Sequence, residues 1–205
     1  MKGIWVWGSD DVYFSHLDKF DTIFIDIEKD KKKAEKFMKK ADEWAIHPVI
    51  NCFENRNPDN EEDLQSVFEQ ILSYKNYGDN LCLDFIRYTT PTMSRDSYRI
   101  INSVVKFAKG QFKNLRCTIM PFGEFYGQNH WAIKKEAIIM PMLYYNPFWV
   151  GFFKRLYGNC EPIIKGWDTN FDTLMKCRDK AGKNYSLFRY GTFKELLRYC
   201  KENYV

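Results

Sequence analysis

The feature that most constrains this chain is a regular alternation of short apolar runs with segments of helical spacing. Buried parallel strands read as near-continuous hydrophobic runs, and such runs lie at 4–7, 20–28, 44–53, 81–88, 114–123, 137–145, 161–167 and 185–190. Between them, apolar residues recur at the three- and four-residue spacing of amphipathic helices. Eight strand signals that alternate with seven or eight helical segments predict the α/β fold called the (β/α)8 or TIM barrel, in which eight parallel strands close into a cylinder.

The same regularity predicts a compact single domain over residues 1–205, because no Pro/Gly/Ser linker or low-complexity stretch interrupts the series. Such barrels usually contain about 250 residues, so several connections must be very short. The alternative is an open doubly wound sheet with fewer strands, in which two or three of the runs are buried helix segments. No glycine-rich phosphate loop follows any run, so neither fold has support as a nucleotide-binding domain.

The charge pattern argues against a nucleic-acid partner. The formal net charge is only +4, from 31 basic and 27 acidic residues that are interspersed along the chain. The lysine-rich segment 29–40 is diluted by acidic residues, which is typical of the solvated face of a helix.

The remaining composition predicts a cytoplasmic protein with no membrane partner and no cofactor. The N-terminus has no secretion signal, and no apolar run reaches membrane-spanning length. Six cysteines show no close pairing, and only three histidines are present, so a Cys/His metal cluster is not expected. The oligomeric state stays open.

Polar side chains stand where the predicted strands end. The carboxyl ends of all strands of a barrel meet at one rim, so residues distant in sequence become neighbours there. The rim residues are Asp26, Glu28, Asn51, Glu54, Asp84, Arg87, Glu124, Tyr144, Tyr145, Asp168 and Arg189, with the aromatic neighbours Trp7, Phe125, Tyr126 and Trp167. Carboxylates perform glycosidic bond cleavage and aromatic faces stack on sugar rings, so the pattern favours a carbohydrate site.

Two motifs resemble a known group of proteins. The stretch 83–88, Leu-Asp-Phe-Ile-Arg-Tyr, resembles the Asp-Tyr-Ile-Arg-Tyr/Phe motif on the fourth strand of glycoside-hydrolase-like barrel families. The stretch 127–131, Gly-Gln-Asn-His-Trp, followed by 138–144, is similar to those families' Gly-Gln-Asp-Trp and Pro-Met-x-Tyr sequences. The resemblance implies a barrel that hydrolyses or binds a polysaccharide or glycoconjugate.

We therefore predict three catalytic residues. Asp84 is the candidate nucleophile or charge stabiliser, held ionised by Arg87, and Glu124 is the candidate general acid/base. A fourth-strand Asp with a fifth-strand Glu also resembles the alpha-amylase-like barrels, whose seventh-strand Asp would correspond to Asp168. The predicted substrate-binding residues are Asp26, Glu28, Glu54, Arg87, Tyr144, Trp167 and Arg189.

Two other functions stay open. The chain could be a degenerate barrel that binds carbohydrate without turnover. It could also perform another barrel reaction, centred on Lys165 as a Schiff-base lysine or on a divalent cation held by carboxylates.

Overall fold

A computed structural model describes residues 1–7, 17–18, 20–28, 30–40, 43–144, 146–165 and 170–188. Several sequence predictions lie outside the described residues: the turn at 8–11, the helix capped by Thr192, and the site residues Tyr145, Trp167, Asp168 and Arg189.

The strands form the predicted barrel. They are β1 (Lys2–Trp7), β2 (Thr22–Asp26), β3 (Ala45–Asn51), β4 (Asn80–Asp84), β5 (Asn114–Ile119), β6 (Ile138–Leu143), β7 (Ile163–Lys165) and β8 (Tyr185–Phe188). They close in sequence order, β8 pairs with β1, and the described pairings are parallel. The (β/α)8 fold is confirmed and the open-sheet alternative is wrong.

Six α-helices are described: α1 (Lys31–Lys40), α2 (Glu61–Ser73), α3 (Arg95–Gln111), α4 (His130–Glu136), α5 (Pro147–Tyr157) and α6 (Phe171–Ala181). Five of them begin directly after a side chain that accepts a hydrogen bond from a first-turn N–H, which fixes where the helix starts. These caps are Asn60, Ser94, Asn129, Asn146 and Asn170. No helix in the described ranges is long and apolar enough to cross a bilayer.

By its internal contacts the chain divides into two compact units. One comprises Met1–His47 and Met142–Val205, and the other comprises Pro48–Pro141. A single domain over residues 1–205 stays a prediction.

Within the unit Pro48–Pro141, strand pairing aligns the ends of two strands. Val49 pairs with Cys82 and Asn51 pairs with Asp84, so β3 and β4 end at the same level. Leu81, Cys82 and Leu83 are fully buried and anchor β4 in the core, which presents Asp84 at its carboxyl end. A buried strand thereby ends in a carboxyl group that is itself largely buried.

Candidate active site

The backbone turns sharply directly after Asp84. Phe85 has φ 48°, in the left-handed region that a non-glycine residue rarely adopts, and this conformation ends β4. The predicted run to residue 88 was therefore four residues too long. Left-handed non-glycine residues cost about 1–3 kcal/mol and are concentrated at functional sites. Phe122, which follows β5 in the same unit, is a second one, with φ 58°.

Asp84 receives two hydrogen bonds, and both fall on one oxygen. The backbone N–H of Phe85 donates to Oδ1 at 2.8 Å, and the Thr118 hydroxyl donates to the same Oδ1 at 2.5 Å. Oδ2 accepts none in the described part of the chain and is not among the buried unpartnered atoms, while Asp84 keeps 9% of its surface exposed. Oδ2 is therefore the oxygen that can meet a ligand.

Burial raises the pKa of Asp84 above its ordinary value. The hydrogen bonds from Thr118 and Phe85 and the charge of Arg87 oppose the rise, whereas the negative charge of Glu54 adds to it. We expected Arg87 to hold Asp84 ionised. Arg87 acts in that direction, but removal of the carboxyl from water outweighs it. The site therefore favours the protonated form of Asp84 more than water does.

Arg87 lies against aromatic rings, and it forms no close ion pair with another described residue. Its Cζ is 4.9 Å from the centroid of the Phe85 ring and 5.9 Å from that of Tyr126. Nη1 donates to the Tyr88 carbonyl at 3.3 Å, and the buried Nε has no hydrogen-bond partner among the described residues. Burial lowers the pKa of Arg87 from its ordinary value, although the charge of Asp84 opposes this.

Glu54 is the second carboxylate of this cluster. It is exposed, follows β3, and its charge acts on both Asp84 and Arg87. The charges that shift the pKa of Asp84 belong to Arg87 and Glu54, not to Glu124. The sequence placed Glu54 only among the substrate-binding residues, because spacing along a chain does not report which loop bends towards which strand end.

Glu124 has a different partner. It lies in a short 3-10 helix, Gly123–Phe125, and its Oε1 contacts Nδ1 of His130, the first residue of α4. The His130 ring also lies 4.9 Å from the ring of Trp131, a side chain that is 62% exposed. The sequence favoured a hydrogen-bonded surface histidine at position 130, with substrate binding as the alternative. No periodic signal joins residues 124 and 130, because an irregular turn brings them together.

A buried glutamine supports the loop that carries Glu124. Gln128 is 1% exposed, and its Oε1 accepts the N–H of Met120 at 2.9 Å. Its Nε2 donates to the Thr118 carbonyl at 3.1 Å. Buried polar groups persist when they are hydrogen-bonded in this way, so Gln128 fixes the chain after β5. The Gly-Gln motif was visible in the sequence, but its structural role was not.

The other sequence candidates belong to the unit formed by Met1–His47 and Met142–Val205, which is described by itself. Asp26 ends β2, is 5% exposed, and accepts the N–H of exposed Glu28 on Oδ1 at 3.0 Å. Tyr144 is half-buried, with its ring 5.8 Å from that of Phe188. Lys165 ends β7, and its positive charge acts on the Cys177 thiol, whose pKa burial nevertheless raises. In the residues that the structure describes, no group of three or more His, Cys, Asp or Glu could hold a metal ion.

Comparison with known proteins finds matches among solved structures alone. No family model and no curated protein sequence matches the chain. A chitinase from Chromobacterium violaceum superposes with a TM-score of 0.55 at 10% identity, covering 80% of this chain and 68% of the chitinase. XacCel5A, solved with cellopentaose, gives 0.54 at 8% identity, covering 92% and 88%. The copper homeostasis protein CutC of Streptococcus agalactiae gives 0.54 at 12%, covering 91% and 97%.

What these proteins share with the chain is the barrel fold. Sequence identities of 8–12% are too low to transfer the role of any residue from these proteins to the chain. A chitinase, a copper homeostasis protein and XacCel5A all have this fold, so the function of the chain must be argued from its site.

Proposed function

We propose that this barrel cleaves a glycosidic bond in a polysaccharide or glycoconjugate, with Asp84 as the general acid. The observation that carries the proposal is the Asp84 carboxyl, whose pKa is raised by burial and by Glu54 while its Oδ2 accepts no hydrogen bond in the described chain. Glycosidases need one carboxyl that holds its proton and a second that carries charge. Asp84 and Glu54 supply this pair within one compact unit.

The hydrogen bonds indicate which oxygen carries the proton. Oδ1 is occupied by two donors, so the acidic proton resides on Oδ2 and is delivered to the oxygen of the leaving sugar. The Glu54 carboxylate stabilises the positive charge that develops on the sugar ring, and water then adds to the ring carbon and returns a proton to Asp84. Arg87 keeps N–H groups that can donate to a sugar hydroxyl. This assignment gives Asp84 the general-acid role that the sequence suggested for Glu124.

Glu124, His130 and Trp131 form a neighbouring subsite in this proposal. The exposed face of Trp131 stacks on a sugar ring, and the Glu124–His130 pair binds its hydroxyls. Asp26, Glu28, Tyr144, Trp167 and Arg189 remain proposed substrate contacts, and Asp168 a proposed assisting carboxylate. The chitinase and the cellopentaose complex among the structural neighbours make chitin and β-glucan oligosaccharides the first substrates to test.

The direct experiment incubates the protein with cellopentaose and with chitin oligosaccharides and follows shorter products by mass spectrometry. Cleavage of either oligosaccharide supports the proposal. Binding of an oligosaccharide by calorimetry with no product after prolonged incubation would favour the alternative of a carbohydrate-binding barrel without turnover.

Thr118→Val is expected to move the high-pH limb of the activity profile to higher pH. The Thr118 hydroxyl bond lowers the pKa of Asp84, so its loss raises that pKa further. A general acid works only while protonated, so activity then persists to higher pH. The measurement is kcat/KM against pH for the variant and the wild type. An unmoved limb would show that Asp84 is not the titrating acid.

Glu54→Gln is expected to shift the same limb in the opposite direction. The negative charge of Glu54 raises the pKa of Asp84, so an uncharged glutamine lets Asp84 lose its proton at lower pH. Carboxyl NMR titration of Asp84 measures this directly and does not depend on activity. Glu124→Gln is the matched control and is expected to leave the Asp84 titration unchanged, because Glu124 is not among the groups that shift the pKa of Asp84.

A further inference from the structure

Helix α5 exposes an unusual amount of apolar surface. Phe148, Trp149, Phe152 and Leu156 are 70%, 42%, 45% and 46% exposed. Residues four apart lie on one helix face, so Phe148, Phe152 and Leu156 form a stripe with Trp149 beside it. We call these four residues the α5 aromatic face.

The opposite side of α5 already packs in the protein. Val150, Phe153 and Tyr157 are buried, and α5 packs against α6. The α5 aromatic face is therefore additional to the side that stabilises the fold. Its rings contact one another at edge-on angles, with centroids 5.4 Å apart for Phe148 and Trp149 and 5.5 Å apart for Trp149 and Phe152. Contiguous exposed apolar surface of this kind marks an interaction site.

Charge around this face indicates what it contacts. No Asp or Glu occurs between Glu136 and Glu161, whereas the last turn of α5 carries Lys154 and Arg155. Arg155 is exposed and lies next to the stripe, while Lys180 of α6 lies over Gly151. An apolar face of Trp, Phe and Leu with the positive side chains of Arg155 and Lys180 beside it is the pattern of helices that lie in the interface of an anionic bilayer.

We propose that the α5 aromatic face attaches the protein to anionic phospholipid membranes, with the rings inserted at the headgroup level and Arg155 against lipid phosphates. The helix lies in the membrane plane and does not span it, consistent with its length of eleven residues. This attachment does not depend on the proposed glycosidase activity. It also differs from the expectation drawn from composition, because overall charge and run length do not report which side chains of a short helix face outward.

Cosedimentation with unilamellar vesicles tests this proposal. The full chain is expected to bind vesicles of equal parts phosphatidylglycerol and phosphatidylcholine, and to bind pure phosphatidylcholine far less. The double variant Phe148→Ser, Phe152→Ser is expected to bind the anionic vesicles at least roughly tenfold more weakly than the wild type, since it loses two inserted rings. Arg155→Gln is expected to reduce binding at low salt and to have less effect at high salt, where charge attraction is screened.

The matched control removes two apolar side chains of similar exposure elsewhere. Leu72→Ser, Met93→Ser changes residues that are 49% and 64% exposed, and it leaves vesicle binding unchanged. Equal binding by the two double variants would overturn the proposal, as would a wild-type chain that does not bind anionic vesicles. Light scattering supplies a further check. A wild-type dimer that becomes a monomer in the Phe148→Ser, Phe152→Ser variant would show instead that a second copy of the chain covers the face.

Discussion

Asp84→Asn is expected to lower glycosidase turnover by about a hundred- to ten-thousand-fold, the usual contribution of a general acid. Asparagine keeps the shape and an Oδ1 that accepts from Phe85 and Thr118, so the local hydrogen bonds survive. It carries no acidic proton at the Oδ2 position. Oligosaccharide binding measured by calorimetry should therefore remain while kcat falls.

The same substitution is expected to stabilise the protein at neutral pH by about 0.5–2 kcal/mol, the size usual for single stabilising changes. The folded pKa of Asp84 is raised, so the unfolded chain loses this proton first as pH increases. The free energy of unfolding therefore falls as pH rises from the unfolded carboxyl pKa, about 3.9, through the folded value. The asparagine variant does not lose stability in this way as pH rises. Its free energy of unfolding therefore exceeds that of the wild type above the folded pKa of Asp84, and the difference disappears at acidic pH.

Asp79→Asn is the control at the other end of β4. Asp79 directly precedes the strand, and its pKa is lowered by hydrogen bonds from Lys113 and Lys75. Removing this carboxylate is therefore expected to decrease stability at neutral pH, opposite in sign to Asp84→Asn, and to leave turnover unchanged. Urea unfolding across pH measures both. Undiminished turnover in Asp84→Asn would refute the general-acid assignment.

Gly127→Ala is expected to destabilise the unit around the site by about 2–4 kcal/mol, combining backbone strain with overpacking. Gly127 has φ +77°, and a Cβ there would lie 2.8 Å from Cδ2 of Tyr88. Tyr88 cannot easily move, because it is 4% exposed and its hydroxyl donates to Asp59 Oδ1 at 2.6 Å. The urea midpoint of unfolding, with an unchanged m-value, measures the loss.

Gly182→Ala separates these two causes. Gly182 has φ +85°, close to that of Gly127, but nothing lies within 4 Å of a Cβ built there. Its alanine variant therefore carries backbone strain alone and is expected to lose about 1 kcal/mol. Equal losses in the two variants would contradict the proposed clash with Tyr88.

Much of the fold follows from patterns that are local in sequence. Each predicted apolar run overlaps an observed strand. Hydrophobic burial decides these features, and the residues involved are near neighbours in the chain. The strand end at Asp84 was less predictable, because the left-handed conformation of Phe85 goes against its own propensity.

The site was harder to predict because its partnerships depend on loops. Asp84 and Glu124 both lie at the carboxyl ends of predicted strands, and the meeting of strand ends at one rim suggested that they act together. The turn after β5 instead directs Glu124 to His130, while the loop after β3 brings the charge of Glu54 to Asp84. Thr118 and Gln128 were missed for another reason: a buried polar side chain in a strand or turn is recognisable only once its hydrogen-bond partner is known.

Buried Thr118 acts on the acidity of Asp84 through a hydrogen bond to Oδ1, the oxygen that is not proposed to meet the ligand. Arg87 and Trp131, by contrast, have side-chain surface that is open to solvent. Under the proposed function, acid strength and sugar recognition therefore depend on separate positions. A substitution at residue 118 would then change the working pH while leaving the choice of sugar intact.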